Sequence, residues 1–399
     1  MVGSGLCGTI YSDDQKMNRV VVTGVGCITP LGNNYEEVVS SMYAGTSGIK
    51  FNDVYQTNLA RITVDIDSQF DRYDIASTDR FSRAAMLAYL QAKADAGTTV
   101  DGVYIGTGAG ATYEVNRAIL EYHEKQRVRP NSLVSSMSSG AASFIALRDN
   151  ITGPVFTHSA ACSSSSVSIG EAYRAIKHGE VNVMAAGGSE FCISHVLIEQ
   201  WRTMRALGSR SSPFGADRDG IILGEGSVIY ILESLSHAIN RGARIYAEIV
   251  GYGISCGSET ITKPSEESQV AAMKSAIKDI DAERVTYINA HGTGTPVGDL
   301  VELGSIQRVF KSGVPISSTK AIHGHLLGNA GAMEMIACLG VLASDQVIPN
   351  WNLTNPDTAI PNDTYLPTKI VNHPQDVCLN NSFAFGGTNV VLSLAKFIE

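Results

Sequence analysis

Along the chain, short apolar runs that end in glycine alternate with segments whose apolar residues recur at helical spacing. The first run is Arg19-Val-Val-Val-Thr-Gly-Val-Gly, and residues 103–105 (VYI) lead into the glycine turn GTGAG at 106–110. Residues 154–159 read as a strand. Residues 166–178 (SVSIGEAYRAIKH) carry a helical apolar face and stop at Gly179. Residues 181–186 (VNVMAA) form a buried-strand pattern ending in Gly187-Gly188, and 226–233 (GSVIYILE) form another. A second series opens with 245–252 (IYAEIVGY), followed by a helix over roughly 266–280 and a strand over 286–289. Strands alternating with helices predict a layered α/β fold.

The pattern has an internal echo. VNVMAAGGSE (181–190) resembles CLNNSFAFGGTN (378–389), and VVVTGVGCI (20–28) resembles AEIVGYGIS (247–255). Two related halves, about 18–236 and 244–397, are the expectation.

Composition narrows the class. With 44% hydrophobic and 17% charged residues, a chain of 399 residues can build a large core, which excludes disorder as the main state. The net charge of −9 argues against a general nucleic-acid or membrane-surface binder. No apolar run is read as approaching the roughly 18 residues of a spanning helix. Seven cysteines without a CxxC pair suggest neither a disulfide framework nor a zinc site. Residues 1–16 lack the pattern of a signal peptide and read as a leader or appended segment, with Met17 as a plausible start. A reduced, cytoplasmic protein is expected.

Four segments carry candidate chemistry. Cys162 lies where the 154–159 strand meets a helix, in THSAACSSSSVSIGEAYRAI. Unpaired N–H groups and the positive end of the helix dipole would favour a thiolate there; an inert buried cysteine is the other reading. In Asn289-Ala-His-Gly-Thr-Gly-Thr a strand ends at His291, a tight turn follows, and a helix starts near Asp299. A histidine at a strand's carboxyl end is placed to face a crevice, with the hydroxyls of Thr293 and Thr295 available to a ligand carboxylate; a turn-stabilising histidine is the alternative. In residues 318–334 (STKAIHGHLLGNAGAME), His325 stands before a small-residue helix. His323 and His325 invite a metal, but no third ligand of HExxH type is near, so no metal is expected. In NNSFAFGGTN (380–389), Phe385 on a glycine turn would present a backbone N–H to an oxyanion.

Together and in this order, these segments resemble the β-ketoacyl-acyl carrier protein synthases, the decarboxylating condensing enzymes of the thiolase-like superfamily. The resemblance runs from Met17 through RVVVTGVGCITPLGNN (19–34), SPFGADRDGIILGEGS (212–227) and GARIYAEIVGYG (242–253). It is nearest the type I and II elongating synthases. It implies an α/β fold of duplicated βαβαβαββ halves with a five-layered αβαβα core. Residues 17–243 would hold the nucleophile and 244–399 the histidines. It also implies a homodimer, or a heterodimer with a ketosynthase-like chain-length factor. The partner would be acyl carrier protein, with substrates on its phosphopantetheine and no bound cofactor; nucleic acid and membrane insertion are not expected.

By the same resemblance, Cys162 takes the acyl group, and His291 and His325 act on the malonyl thioester. Lys320 and Glu302 are supporting charges around the histidines. Thr293 and Thr295 meet the malonyl-pantetheine end. Phe385 is the gatekeeper, and the N–H groups of Cys162 and Phe385 form the oxyanion hole. Ala109 falls where related synthases vary the bulk of the acyl pocket, so alanine implies room for long or stiff chains. Lys125, Arg127 and Arg129 lie where relatives dock an acidic carrier protein. Several residues depart from the family pattern. His323 replaces a common threonine, Ala384 replaces a hinge glycine, four serines follow Cys162, and the 50–100 region is short. These departures suggest a pathway-specific synthase, as in bacterial aryl polyene or related polyketide assembly, with a housekeeping fatty-acid synthase as the alternative. A thiolase would need a second cysteine where SFAFGGTN stands, and Cys378 lies upstream of it. A chain-length factor would lack the nucleophile. An initiating synthase normally has asparagine in place of His325.

Overall fold

The computed structural model describes residues 17–257, 260–310 and 313–398; the leader expected over 1–16 lies outside the described residues. The first half contributes β1 (Val20–Ile28), α1 (Arg80–Ala96), β2 (Gly102–Gly106), β3 (Val155–His158), α2 (Ser164–Lys177), β4 (Val183–Glu190) and β5 (Gly226–Ser234). The second contributes β6 (Ala247–Cys256), α3 (Glu266–Ala276), β7 (Val285–Asn289), α4 (Gly298–Gln307), β8 (Ile316–Ser317), α5 (Ala330–Ser344), β9 (Val377–Phe383) and β10 (Thr388–Ala395).

These strands make a 10-stranded sheet in the order β3-β2-β4-β5-β1-β6-β10-β9-β7-β8. Counted within its own half, each run of five has the order 3-2-4-5-1. In both, the fifth strand is antiparallel to its two neighbours and the remaining pairs are parallel. The halves join where residues 20–22 of β1 pair with 247–249 of β6.

The two echoes in the sequence therefore fall on equivalent strands: the first and the fourth of each half. Their glycines have a common cause. A Cβ on Gly26 would meet the Ala88 carbonyl oxygen of α1 at 1.9 Å, and one on Gly253 would meet that of Ala272 in α3 at 2.0 Å. Only glycine lets a helix lie this close on the first strand of each half. α1 is itself well delimited: the Asp79 side chain accepts from Ser82 N–H at its start, and Gly97 in the left-handed region (φ 66°) ends it.

α1 packs on β1 and β5, α2 on β4 and β2, α5 on α2 and β9, and α3 on β6 and β10 with α4 beside it. Helices, strands, helices, strands and helices thus stack as the αβαβα core. One expectation is corrected here. The run Leu327–Ser344 is long and apolar enough to cross a membrane, with a mean hydropathy of 1.4. It is apolar because it is the central helix, with 89% of the run buried inside the protein, and a helix packed on all sides has no polar face to show. Smaller differences lie at element ends. β4 continues through Gly187-Gly188 to Glu190, and α3 stops at Ala276 instead of near 280. The described cysteines are all unpaired with one another.

Candidate active site

Cys162 sits in the turn between β3 and α2, two residues before the first helical residue. Ala161 before it has φ 47°, a left-handed conformation rare for alanine. The serines that follow fasten this turn. Ser163 Oγ donates to Ala160 O at 2.8 Å, Ser164 Oγ donates to Ala161 O at 2.6 Å, and Ala160 N–H donates to Ser164 Oγ at 2.8 Å. The backbone N–H of Phe385 reaches the Cys162 sulfur. The expected thiolate is corrected: burial pushes the thiol up to about 12, and the Lys320 charge and the Phe385 N–H offset only part of that. Desolvation outweighs the helix dipole at this depth.

His291 stands just past β7 on the turn into α4, with Glu302 of α4 beneath. The Glu302 carboxylate accepts from His291 N–H at 2.8 Å, Gly292 N–H at 2.7 Å and Asn381 Nδ2 at 3.1 Å. The Thr293 and Thr295 hydroxyls are 3.2 Å apart on the same turn. His325 arrives from the far side, past the short helix Lys320–His323. Its ring centroid is 5.3 Å from that of His291, and the rings are edge-on. Both imidazoles are held well below the usual histidine range, first by burial and then by the Lys320 charge. They are therefore neutral near pH 7, each with one N–H to donate.

Lys320 organises this pair. It is buried (1% exposed), and its Nζ donates to His291 O at 2.5 Å, faces His291 Nδ1 at 3.4 Å and pairs with Glu334 of α5. An ammonium only donates, so Nδ1 of His291 is the acceptor and Nε2 carries the hydrogen. Lys320 and Glu302, expected as supporting charges around the histidines, act at different points of the site. Lys320 bonds to Glu334, while Glu302 fixes the backbone of the turn. Burial pushes both carboxyls up to about 7. Sequence reasoning gave Glu334 no role, although a single carboxylate inside the apolar helix α5 was a visible signal. Glu190, a lone acid closing the apolar strand β4, was another.

Cys162, His291, Thr293, Thr295, Glu302, His325 and Phe385 all line one cavity of ≈ 540 Å³. Phe385 is stacked on Trp201, with ring centroids 5.9 Å apart; Trp201 was not singled out from the sequence. His323 is not on the cavity wall. It is buried, its Nε2 lies 3.0 Å from Thr319 Oγ1, and burial holds it at about 3. Ala109 also lies off the cavity wall and packs into an apolar cluster with Trp201, Ile198 and Leu327. Lys125 and Arg127 are exposed, whereas Arg129 is committed to the buried Glu114 at 2.7 Å and to Glu121 at 3.4 Å.

Comparison with known proteins places this geometry in a family. The model of the beta-ketoacyl synthase N-terminal domain matches residues 17–238, and that of the C-terminal domain matches 246–354. The chain belongs to the beta-ketoacyl synthases. It is 37% identical over 412 residues to 3-oxoacyl-[acyl-carrier-protein] synthase 2 of Synechocystis sp., covering 96% of this chain and 99% of that protein. It is 36% identical to Nodulation protein E of Rhizobium meliloti, covering 95% and 99%. Among solved structures, a beta-ketoacyl synthase from Burkholderia phymatum superposes with a TM-score of 0.90 at 32% identity, covering 96% and 100%. The ishigamide ketosynthase/chain length factor also superposes with a TM-score of 0.90, at 27% identity and the same coverage. The thiolase-like fold and condensing-enzyme class expected from the motifs are those of this synthase.

Proposed function

We propose that this synthase joins an acyl group held on Cys162 to a malonyl unit carried on the phosphopantetheine of an acyl carrier protein, with loss of CO2. The observation that carries the reading is the single cavity onto which the nucleophile, both neutral imidazoles, the threonine pair and the gatekeeper converge. Residues 17–243 supply the nucleophile and 244–399 the histidines. The relatives named 3-oxoacyl-[acyl-carrier-protein] synthase support the same chemistry.

In the first half-reaction the Cys162 sulfur attacks the acyl thioester carbonyl. The thiol, raised to about 12, keeps its proton until attack and passes it to the departing pantetheine sulfur as the thioester C–S bond breaks. The tetrahedral oxygen faces the N–H groups of Cys162 and Phe385, and the pantetheine sulfur leaves and is protonated. In the second, the malonyl carboxylate leaves as CO2, and the C–C electron pair becomes an enolate on the thioester oxygen. His291 Nε2–H and the N–H of His325 donate to that oxygen where its charge develops. The enolate carbon attacks the Cys162 acyl group, and the sulfur leaves to regain its proton. Glu302 and Lys320 hold the His291 turn, and Thr293 and Thr295 bind the pantetheine end.

The substrate is assigned to a specialised polyene or polyketide chain, a reading supported by the likeness to a type II PKS ketosynthase and not by Ala109, which lies off the cavity wall. The relatives named synthase 2 favour housekeeping fatty-acid elongation as the second reading. Assembly is assigned to a dimer, with itself or with a ketosynthase-like chain-length factor, in the cytoplasm. The decisive experiment is intact-mass analysis after incubation with acyl-carrier protein. The wild type should gain the acyl mass and Cys162→Ala should not; acylation of Cys162→Ala would refute the mechanism.

A further inference from the structure

Glu190 ends β4 and is fully buried. Its neutralisation comes from two loops and not from a basic side chain. Thr107 Oγ1 donates to it at 3.1 Å, Gly108 N–H at 2.7 Å and Ala109 N–H at 3.2 Å, all from the loop after β2. Gly328 N–H donates at 2.9 Å from the loop three residues beyond His325. The loops meet backbone to backbone: a Cβ on Gly328 would lie 2.1 Å from Gly108 N and 2.6 Å from Glu190 Oε2. A Cβ on Gly108 would lie 3.3 Å from the carbonyl oxygen of Ala161, the residue before Cys162. The Ala109 loop and the His325 loop therefore converge on one carboxylate, and the nucleophile turn lies against the first of them.

His325 needs such an anchor. Among the described residues neither ring nitrogen has a hydrogen-bond partner, so the ring stands where the backbone puts it. On one side that backbone is held by His325 N–H to Ile222 O at 2.7 Å and Gly224 N–H to His325 O at 2.8 Å. On the other, Leu327 has φ 49°, a costly conformation for leucine that must be imposed by its surroundings. The Gly328 bond to Glu190 follows immediately.

We infer that Glu190 is a positioning residue for the malonyl half-reaction: it clamps the loop after His325 against the loop after β2 and thereby sets the place of the His325 ring. The inference rests on the reading of Cys162 and His325 given above. A carboxylate suits the task because its two oxygens accept all four bonds. A glutamine would turn an NH2 group onto N–H donors and lose part of the set. The charge of Glu190 also raises the Cys162 thiol, so removing it eases ionisation of Cys162 and gives no reason for acylation to slow.

The test compares wild type, Glu190→Gln and Glu190→Asp in the two half-reactions, with thermal unfolding alongside. Acyl transfer from acyl-carrier protein to Cys162 is followed by intact mass, and CO2 release from malonyl-carrier protein by label. In Glu190→Gln, kcat for CO2 release should fall on the order of 100-fold, the cost of about 1 Å of misplacement. Its KM and the rate of Cys162 acylation should stay within about threefold of wild type, a change of under ~0.7 kcal/mol. Glu190→Asp, which keeps the acceptor pair, should recover part of the loss. Should Glu190→Gln fail to fold, the same split in Glu190→Asp decides. Equal loss of both half-reactions, no loss in either, or unfolding of both variants would overturn the inference. A wild type that performs neither half-reaction would instead refute the condensation reading.

Discussion

His323 shows how burial and charge compete at a single residue. It is a histidine at a position where the family often has threonine, yet it is turned off the cavity wall and bonded to Thr319. Its folded value of about 3 lies below the ordinary 6.5, so the unfolded chain binds the extra proton first. The fold therefore keeps this contribution above about pH 6.5 and loses it as pH falls from there toward 3, at up to about 1.4 kcal/mol per pH unit. In His323→Thr the unfolding temperature should fall less steeply between pH 6.5 and 4.5 than in wild type. The slope separates titration from any constant packing loss, and identical slopes would show that His323 does not titrate as argued. Activity should survive. Ala109 makes a second residue-scale case. Ala109→Phe adds bulk beside Trp201 and Leu327 in the apolar cluster and should shorten products without stopping the first condensation. Overpacking would cost about 1–3 kcal/mol, read from thermal unfolding. A stable variant with an unchanged product profile would take Ala109 out of the acyl channel. Cys162, His291 and His325 were legible in the sequence because each sits on a turn whose small residues are distinctive. The partner of Lys320 was not. Glu302 and Glu334 are both near in sequence, and only the packing of α5 beneath the site decides which one bonds to it.

At the scale of elements, the alternation of strands and helices was legible because each buried strand is a continuous apolar run. Its ends were not, because paired glycines punctuate a sequence yet also occur inside a strand where a neighbour lies close, as in β4. The apolar length of α5 was not legible because Glu334 interrupts the run, although the helix buries that carboxylate together with its apolar residues. The helix Thr112–Lys125 and the segment after it carry the expected docking cations, and the structure divides their duties. Lys125 and Arg127 are exposed. Arg129 answers the buried Glu114, as does Arg117. Reversing Lys125 and Arg127 to Glu should raise the KM for carrier-linked substrate and weaken its salt dependence with little change in unfolding temperature. Arg129→Glu should instead lower the unfolding temperature, since it sets a second carboxylate against a buried one. If Arg129→Glu raises KM with no loss of stability, the division of duties is wrong.

At the scale of the whole molecule, the sheet ends in two unlike edges. β8 has two residues, both buried. β3 has four, pairs among the described residues only with β2, and leaves Phe156 56% exposed. The helix Gly140–Asp149, which packs against it, leaves Leu147 exposed as well. No lysine or proline within β3 guards this edge, and an unguarded apolar edge is a pairing site. A dimer that continued the sheet from β3 to a second β3 would cover it. Because a two-fold axis makes such an interface self-complementary, residue meets equivalent residue near the axis. Phe156→Lys would then bring two ammonium groups together in a homodimer but only one into a heterodimer with a ketosynthase-like partner. Within the chain the substitution costs little beyond the contact of Phe156 with Tyr104, whose ring centroid is 5.4 Å away. The expected outcome is a folded Phe156→Lys protein that sediments as a monomer at concentrations where wild type is a dimer. Adding salt should restore part of the homodimer by screening the repulsion. A Phe156→Lys protein that stays dimeric at low salt would show that the chains meet through another face.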